Sequence, residues 1–335
     1  MENLQLKSSL ADIFFDAGID SGDMEIIPIY GGGNNKVVSV QTKDGRYLAK
    51  TYFSHPSDTR NRLATEFSFL SYALNIGLEC VPKPVHCDHK KNIGLYEFIE
   101  GRKLESFELN QQHIIEAANF IKRLNSRADR FQTLPVASEG CFSVKQHFLI
   151  IENRLNRLGA LSVESDLERQ MNSFVSEIEN AWGKIKDDIS IKTSSISEEL
   201  NDDDRCVSPS DFGFHNALLK NSGDICFIDF EYSGLDDPAK MISDFFLQPA
   251  IPVPFKYYDD FVSVSLDYSK NKAELAERAY LLFPIFKIKW CCLMLNEFLP
   301  DSAKRRQFAS PTLDPEQSKS LQLKKAQQFF HSRKA

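Results

Sequence analysis

Along the chain the spacing of hydrophobic and polar positions switches from a short, alternating period to a helical one, and the switch divides the sequence into two kinds of structure. Residues 1–23 read as a short helix that stops near Gly18 or Gly22. From Ile26 to Phe53 come short β-rich runs, interrupted by Gly31-Gly32-Gly33-Asn34-Asn35 and by Lys43-Asp44-Gly45-Arg46. Asp-Gly between two such runs is a strong hairpin signal. Leu63, Phe67, Leu70 and Leu74 then recur at helical spacing, with Gly77 as a stop. Strand character returns over 81–87 and 92–101, after which 111–125, 147–158 and 164–186 are helical in pattern and 197–205 reads as a polar loop. Two short strand candidates, Ala-Leu-Leu and Ile-Cys-Phe-Ile, flank the turn Asn221-Ser222-Gly223-Asp224, and helices resume over 272–299. The pattern predicts an α+β chain of two lobes. A small antiparallel sheet with one main helix occupies 1–100, a connector lies near 97–101, and a mostly helical lobe with an inserted hairpin fills 101–335.

Composition agrees with this division. A chain of 335 residues is long enough for two cores. With 42% hydrophobic and 26% charged residues it is ordinary globular material rather than a disordered chain. A net charge of −7 excludes the broadly basic face expected of a nucleic-acid binder. Between Lys304 and Lys334 eight Lys or Arg stand against Asp314 and Glu316, which reads as a solvated amphipathic helix. Seven cysteines without a C-x-x-C pair suggest reduced thiols and a cytoplasmic setting. The spacing of Cys80, His86, Cys87 and His89 matches no common zinc site. The opening residues lack the pattern of a secretory signal. The apolar stretch 279–295 is broken by Lys287 and Lys289 and reads as a buried helix rather than a membrane span.

The chemistry concentrates in Ser208–Gly234. A hairpin between Asn216 and Asp229 would bring its flanking loops together, so that Asp211, Asn216 and Asp229 meet at one end. Hard oxygen groups of this kind suit Mg²⁺ with substrate phosphates, and one carboxylate left free of metal could accept a proton from an attacking hydroxyl. An Asp, an Asn five residues later and a second Asp after a hairpin is the layout that protein kinases use for phosphoryl transfer. Upstream, Gly32, Gly33, Asn34 and Asn35 stand where a turn could let the backbone approach phosphates. Lys50 on the following strand could reach the α- and β-phosphates, with Glu66 on the next helix holding it. There is no G-x-x-x-x-G-K-[ST] loop and no G-x-S-x-G elbow.

With these residues in place the sequence resembles the aminoglycoside phosphotransferase and choline kinase family, small-molecule kinases with a protein-kinase-like fold. The resemblance runs from about Ile27 to Phe246 and is strongest in SDFGFHN and FIDFEYSGLDDPAKMISDFF. It implies that Asp211 is the catalytic base, that Asn216 and Asp229 hold Mg²⁺, that Lys50 binds phosphate and that Glu66 is its partner. It further implies that the backbone of Glu97 and Ile99 receives the adenine of ATP with Tyr96 behind it, and that the site lies in a cleft between the lobes. Pro209 departs from the family pattern, standing where a His usually precedes the catalytic Asp, whereas Phe-Glu rather than Phe-Gly after Asp229 is common among small-molecule members of the family.

No long activation segment follows Asp229, which points to a small hydroxyl acceptor such as an amino sugar, a sugar, choline or another amino alcohol. Glu231, Asp236, Asp237 and Asp244 could add negative charge for a cationic acceptor, or could cap a helix and tie down the catalytic loop. The aromatic run from Phe245 to Phe261 could line a pocket but is expected to be core. A nucleotide-binding scaffold without turnover, motivated by Pro209, and a kinase-like enzyme that modifies a protein stay open as alternatives. Oligomeric state is not legible.

Overall fold

The computed structural model describes residues 2–30, 34–56, 58–127, 134–309 and 314–332. They form two compact units. The first holds residues 1–103 together with 216–232 and 304–313, and the second holds the remainder.

The first unit is built on a five-stranded sheet of order β1-β2-β3-β5-β4. Its strands are β1 (Glu25–Ile29), β2 (Lys36–Gln41), β3 (Arg46–Thr51), β4 (Pro84–Asp88) and β5 (Ile93–Glu97), and every pairing is antiparallel. The Lys43-Asp44-Gly45-Arg46 segment turns β2 into β3 as its composition predicts, with Gly45 at φ 143°. Helix α1 (Glu2–Asp16) places Leu10, Ile13 and Phe14 at helical spacing into a core with Val40, Ala49 and Leu95. Fully burying such side chains contributes about 1.5–3 kcal/mol each.

Helix α2 (Arg62–Asn75) is capped by Asn61, whose side chain accepts from the Ala64 N–H at 3.1 Å. The predicted stripe holds at Leu63 and Leu70, but Phe67 and Leu74 are only half-buried. Arg62, Glu66, Phe69 and Ala73 fill the buried face instead. Two charged side chains therefore lie on the inward face, where a hydrophobic pattern cannot register them.

The hairpin of β7 (Ala217–Leu219) and β8 (Ile225–Phe227) belongs to this first unit. Its backbone is tied there by Phe227 N–H to Cys80 C=O at 2.8 Å and by reciprocal bonds between Arg102 and Leu219. Phe230 stacks on Phe69 with ring centroids 4.5 Å apart.

The second unit is helical. Helices α3 (Gln111–Leu124), α4 (Val144–Gly159) and α5 (Asp166–Lys192) lead into the short sheet of β6 (Cys206–Ser208) and β9 (Gly234–Asp236). A Cβ at Gly234, whose φ is 151°, would collide with the Pro135 carbonyl, so that position demands glycine. Helix α6 (Pro238–Leu247), buried at all ten positions, packs on α8 (Lys272–Met294), and α7 (Tyr258–Ser265) packs on α3. The span Lys272–Phe298 is long and apolar enough to cross a bilayer by length and composition, yet 61% of its most apolar window is buried inside the protein. Its neighbours are α4, α5, α6 and the C-terminal helix Pro315–His331. The basic C-terminal segment thus includes a docked helix, with Leu323 and Ala326 buried. Phe245, Phe246, Tyr258 and Phe261 are buried against one another and form core.

Candidate active site

In the first unit the site is assembled around Lys50. That residue sits on β3, paired with β2 on one side and β5 on the other, and is only 5% exposed. Its ammonium donates to Glu66 Oε2 at 2.7 Å and also contacts Asp229 Oδ1. Glu66 accepts three further constraints on its geometry. Tyr52 O–H donates to Oε2 at 2.6 Å, Tyr96 and Tyr52 share a hydroxyl bond at 2.6 Å, and the Phe230 N–H donates to Oε1 at 3.2 Å. One carboxylate therefore joins the lysine strand to the backbone immediately after Asp229.

Burial alone would lower the Lys50 pKa, but the carboxylates of Asp229, Glu66 and Glu231 outweigh it and hold the group well above the usual lysine range. Burial raises the Glu66 carboxyl, with Lys50 pulling in the opposite direction. Lys50 is accordingly a fixed cation. It is surrounded by more negative than positive charge, which leaves room for a further cation.

Asn216 and Asp229 are brought together as the hairpin order predicts. Ala217 pairs with Phe227, and the Ile228 N–H donates to the Asn216 carbonyl at 2.9 Å, so the two residues flank the same end of the ladder. Asp229 has φ 69°, a conformation non-glycine residues adopt at a cost of roughly 1–3 kcal/mol, and its side chain is 38% exposed. The donor set is one carboxylate and one amide, all oxygen, and half-open to solvent. That chemistry fits Mg²⁺, which keeps waters and takes few protein ligands, and no group of three or more His, Cys, Asp or Glu among the described residues forms a closed cage.

Gly32 and Gly33 lie outside the described residues. Asn34 and Asn35 do not point their amides at open space: Asn34 Nδ2 donates to Glu231 Oε1 at 2.9 Å and Asn35 Nδ2 to Glu231 Oε2 at 2.6 Å. Glu231 thereby anchors the end of the glycine run to the segment after Asp229. At the connector, the Glu97 N–H is taken by the Lys83 carbonyl at 2.8 Å. Tyr96 is 2% exposed, and its ring covers Gly94 so closely that a Cβ there would overlap it.

The second unit carries Asp211. Its Oδ1 lies 3.2 Å from His215 Nε2. The Asp211 N–H donates to the Pro209 carbonyl at 3.0 Å across Ser210, whose φ is 69°; this is a γ-turn, a rare and strained one. The turn is held from both ends. The Ser210 N–H donates to Ser208 Oγ at 3.0 Å, and Lys240 Nζ donates to Ser210 Oγ at 3.0 Å. Lys240 is 1% exposed and is also paired with Asp236 and, at 3.4 Å, with Asp244. Sequence reasoning missed Lys240 as a support of the loop that carries Asp211; its signal was an i, i+4 relation to two acids on α6 and β9.

Of the four acids considered for a cationic acceptor, Glu231 is engaged by Asn34 and Asn35, and the other three are spoken for inside the second unit. Asp236, Asp237 and Asp244 are at most 2% exposed. Asp237 caps α6 through the Ala239 N–H at 2.8 Å and accepts from Arg278 at 2.7 Å, with His147 Nε2 at 3.0 Å. Despite its burial, Arg278 and His147 hold its carboxyl well below the usual range. Asp244 is bound by Lys289 at 3.2 Å and Trp290 Nε1 at 3.1 Å. Cys141 Sγ lies 3.1 Å from His147 Nδ1, but burial pushes that thiol far up and keeps it protonated, so the Cys-His-Asp chain is not a nucleophile.

The comparisons with known proteins bear on this arrangement. A family model described as the phosphotransferase enzyme family matches residues 25–240, more than half of the chain. No curated protein matches the sequence. Among solved structures, a choline/ethanolamine kinase family protein from Mesorhizobium loti aligns with TM-score 0.61 at 16% identity, covering 99% of this chain and 96% of that one. The choline kinase LicA from Streptococcus pneumoniae aligns with TM-score 0.58 at 15% identity, covering 91% and 92%. Spectinomycin phosphotransferase APH(9)-Ia, solved with ADP and spectinomycin, aligns with TM-score 0.56 at 13% identity, covering 97% and 98%. These likenesses establish the kinase-like fold, and the family match over a chain with this lysine and acid arrangement makes it a member of the phosphotransferase enzyme family, a small-molecule kinase.

Proposed function

We propose that the chain transfers the γ-phosphate of Mg·ATP to a hydroxyl of a small molecule. The observation that carries this reading is the buried bond from Lys50 to Glu66 beside a half-exposed Asp229, with Asn216 at the same end of the hairpin. In this reading Lys50 positions the phosphates and Glu66, locked by Tyr52 and the Phe230 N–H, positions Lys50. Asp229 and Asn216 hold Mg²⁺, which when bound neutralises charge developing on the phosphates. Asp211 accepts the acceptor hydroxyl proton, and His215 orients its carboxylate. The backbone of Glu97 and Ile99 receives the adenine, and Gly32 and Gly33 with Asn34 and Asn35 form the phosphate loop that Glu231 anchors.

Binding of ADP by the spectinomycin phosphotransferase supports nucleotide use. Pro209 favours the scaffold reading only if the catalytic loop is left unsupported, and Ser208, Ser210 and Lys240 support it. The acceptor class is an alcohol-bearing small molecule such as an amino sugar, a sugar, choline or another amino alcohol. Because Asp236, Asp237 and Asp244 are paired internally, they do not argue for a cationic acceptor. All seven cysteines are free thiols, which supports a cytoplasmic setting.

The test is intact-mass screening of products from wild type and Asp211→Asn with Mg·ATP and a panel of such alcohols. A phosphoryl gain with wild type, reduced by about 10²–10⁴-fold in the variant with Mg·ATP affinity preserved, is expected. Nucleotide binding with no product across the panel would favour the scaffold, and a mass gain on a protein would favour the protein-modifying alternative.

A further inference from the structure

Behind the Lys50–Glu66 pair, the first unit carries two buried tyrosines, Tyr52 and Tyr96, whose placement the ion pair alone does not explain. Tyr52 follows the last residue of β3 and is clamped by Asn92 rather than by a strand ladder. Its N–H donates to the Asn92 carbonyl at 3.0 Å, and Asn92 Nδ2 donates to the Tyr52 carbonyl at 2.9 Å. The centre of its ring lies 5.1 Å from Lys50 Nζ. Across the ladder Lys50 faces Gly94, and Leu48 faces Tyr96. Gly94 and Tyr96 are two apart on β5 and share a face of the sheet. The Tyr96 ring leans back along its strand over Gly94. A Cβ at 94 would meet Cζ and Cε2 of the ring at 2.7 Å and the hydroxyl oxygen closer still. Gly94 does not take a positive φ, so the ring, and not the backbone, demands glycine there. The space opposite Lys50 is given to the Tyr96 hydroxyl.

The hydroxyls form a chain with one direction. Burial, followed by the Glu66 carboxylate and Tyr96, raises the Tyr52 phenol well above its ordinary value, and burial raises Tyr96 as well, so both keep their protons. Glu66 accepts from the Lys50 ammonium and the Phe230 N–H, groups that can only donate, and Tyr52 gives its one proton to Oε2 at 2.6 Å. The proton shared by the two hydroxyls, 2.6 Å apart, then comes from Tyr96. Donation runs from Tyr96 to Tyr52 to Glu66 Oε2, the same oxygen that accepts from Lys50, and each bond in such a chain polarises the next. Lys50 also contacts Asp229, whose side chain is 38% exposed, so the fixed end of its pairing is the buried Glu66. How firmly Glu66 is held decides where the ammonium stays.

We infer that Tyr96 is a positioning residue for phosphoryl transfer, acting through Tyr52 and Glu66 on Lys50, with Gly94 as the slot that lets its hydroxyl arrive. The inference rests on the kinase reading and adds a connection to it. Tyr96 immediately precedes Glu97, whose backbone receives the adenine in that reading, so one rigid side chain links the place of the base to the lysine that holds the phosphates.

The experiment is a double-mutant cycle on the full chain, with Mg·ATP turnover read as ADP release and with water and the same panel of alcohols as acceptors. Tyr96→Phe keeps the ring and removes only the hydroxyl. It is expected to lower kcat about fivefold with the KM for Mg·ATP little changed, and Tyr52→Phe to lower kcat about tenfold. Because Tyr96 acts only through Tyr52, the double variant should match Tyr52→Phe instead of losing the product of the two factors. Factors that multiply, an unchanged kcat in Tyr96→Phe, or a raised KM alone would each overturn the inference; the last is the signature of a ring that only packs on the base. A lowered urea midpoint in Tyr96→Phe with kcat per folded chain unchanged overturns it as well, and makes the hydroxyl a purely structural group. All of these outcomes leave the kinase reading in place, because wild type turns over in each. Mg·ATP binding without ADP release by wild type would instead overturn the kinase reading, and this inference with it.

Discussion

Two buried lysines, one in each unit, make the same kind of bond and serve different ends. Lys50 and Lys240 are 5% and 1% exposed, and each is paired with two carboxylates. Around Lys240 the acids Asp236 and Asp244 are as buried as the lysine, and their remaining bonds go to Lys289, Trp290 and the backbone. Around Lys50 only Glu66 is buried, while Asp229 shows 38% of its side chain to solvent from a left-handed backbone. A closed network of this type fixes a loop, here the strained turn at Ser210. An open one with a strained, half-exposed carboxylate is arranged to receive something. Burial of every partner, rather than the presence of charge, separates the closed network from the open one.

The comparison can be broken most decisively at Lys240. Lys240→Met leaves the buried Asp236 without the cation bound to it and takes from Asp244 one of its two, and a loss of about 3–5 kcal/mol in urea unfolding is expected. Lys50→Met should lose turnover by about 10²–10³-fold instead. Its stability cost should be smaller, because burial already pushes Glu66 toward its neutral form and Asp229 faces solvent. A larger stability loss at Lys50 than at Lys240 would erase the distinction. Glu231→Gln sharpens the picture on the open side. It removes a charged acceptor from Asn34 and Asn35, and a rise in the KM for Mg·ATP of roughly tenfold, with a smaller change in kcat, is expected.

A smaller effect belongs to the closed side and is read by pH. Although burial would raise the Glu139 carboxyl, the charges of Arg154, Lys289 and Lys240 hold it at about 2 against an ordinary 4.5. A carboxyl whose folded pKa is depressed contributes stability above its unfolded value and loses it as pH falls through the folded one. Urea stability should therefore decline between about pH 4.5 and pH 2, and Glu139→Gln should flatten that limb. An unchanged slope would remove Glu139 from the network.

Much of the first unit was readable in advance. The hairpin at Lys43–Arg46, the strand lysine and the helix glutamate are local features, set by turn chemistry and periodicity over a few residues. The meeting of Asn216 and Asp229 was legible for the same reason, since a three-residue ladder and a tight turn leave little freedom. The face of α2 was less so. A stripe of Leu and Phe was visible, but the inward positions of Arg62 and Glu66 were set by partners far away, such as the Phe230 N–H, 164 residues from Glu66.

By itself, then, the sequence determined the α+β character of the chain, the order of loop, lysine, helix acid and Asp-Asn-Asp motif, and through them the phosphotransferase chemistry. Only the tertiary structure decided which acids remain available. It consumed Asp236, Asp237 and Asp244 in internal pairs, made Lys240 the support of a loop that lacks the usual histidine, and turned Asn34 and Asn35 toward Glu231. Periodicity reports which side of an element faces inward, whereas the charge state and use of a buried group depend on the atoms that surround it in space.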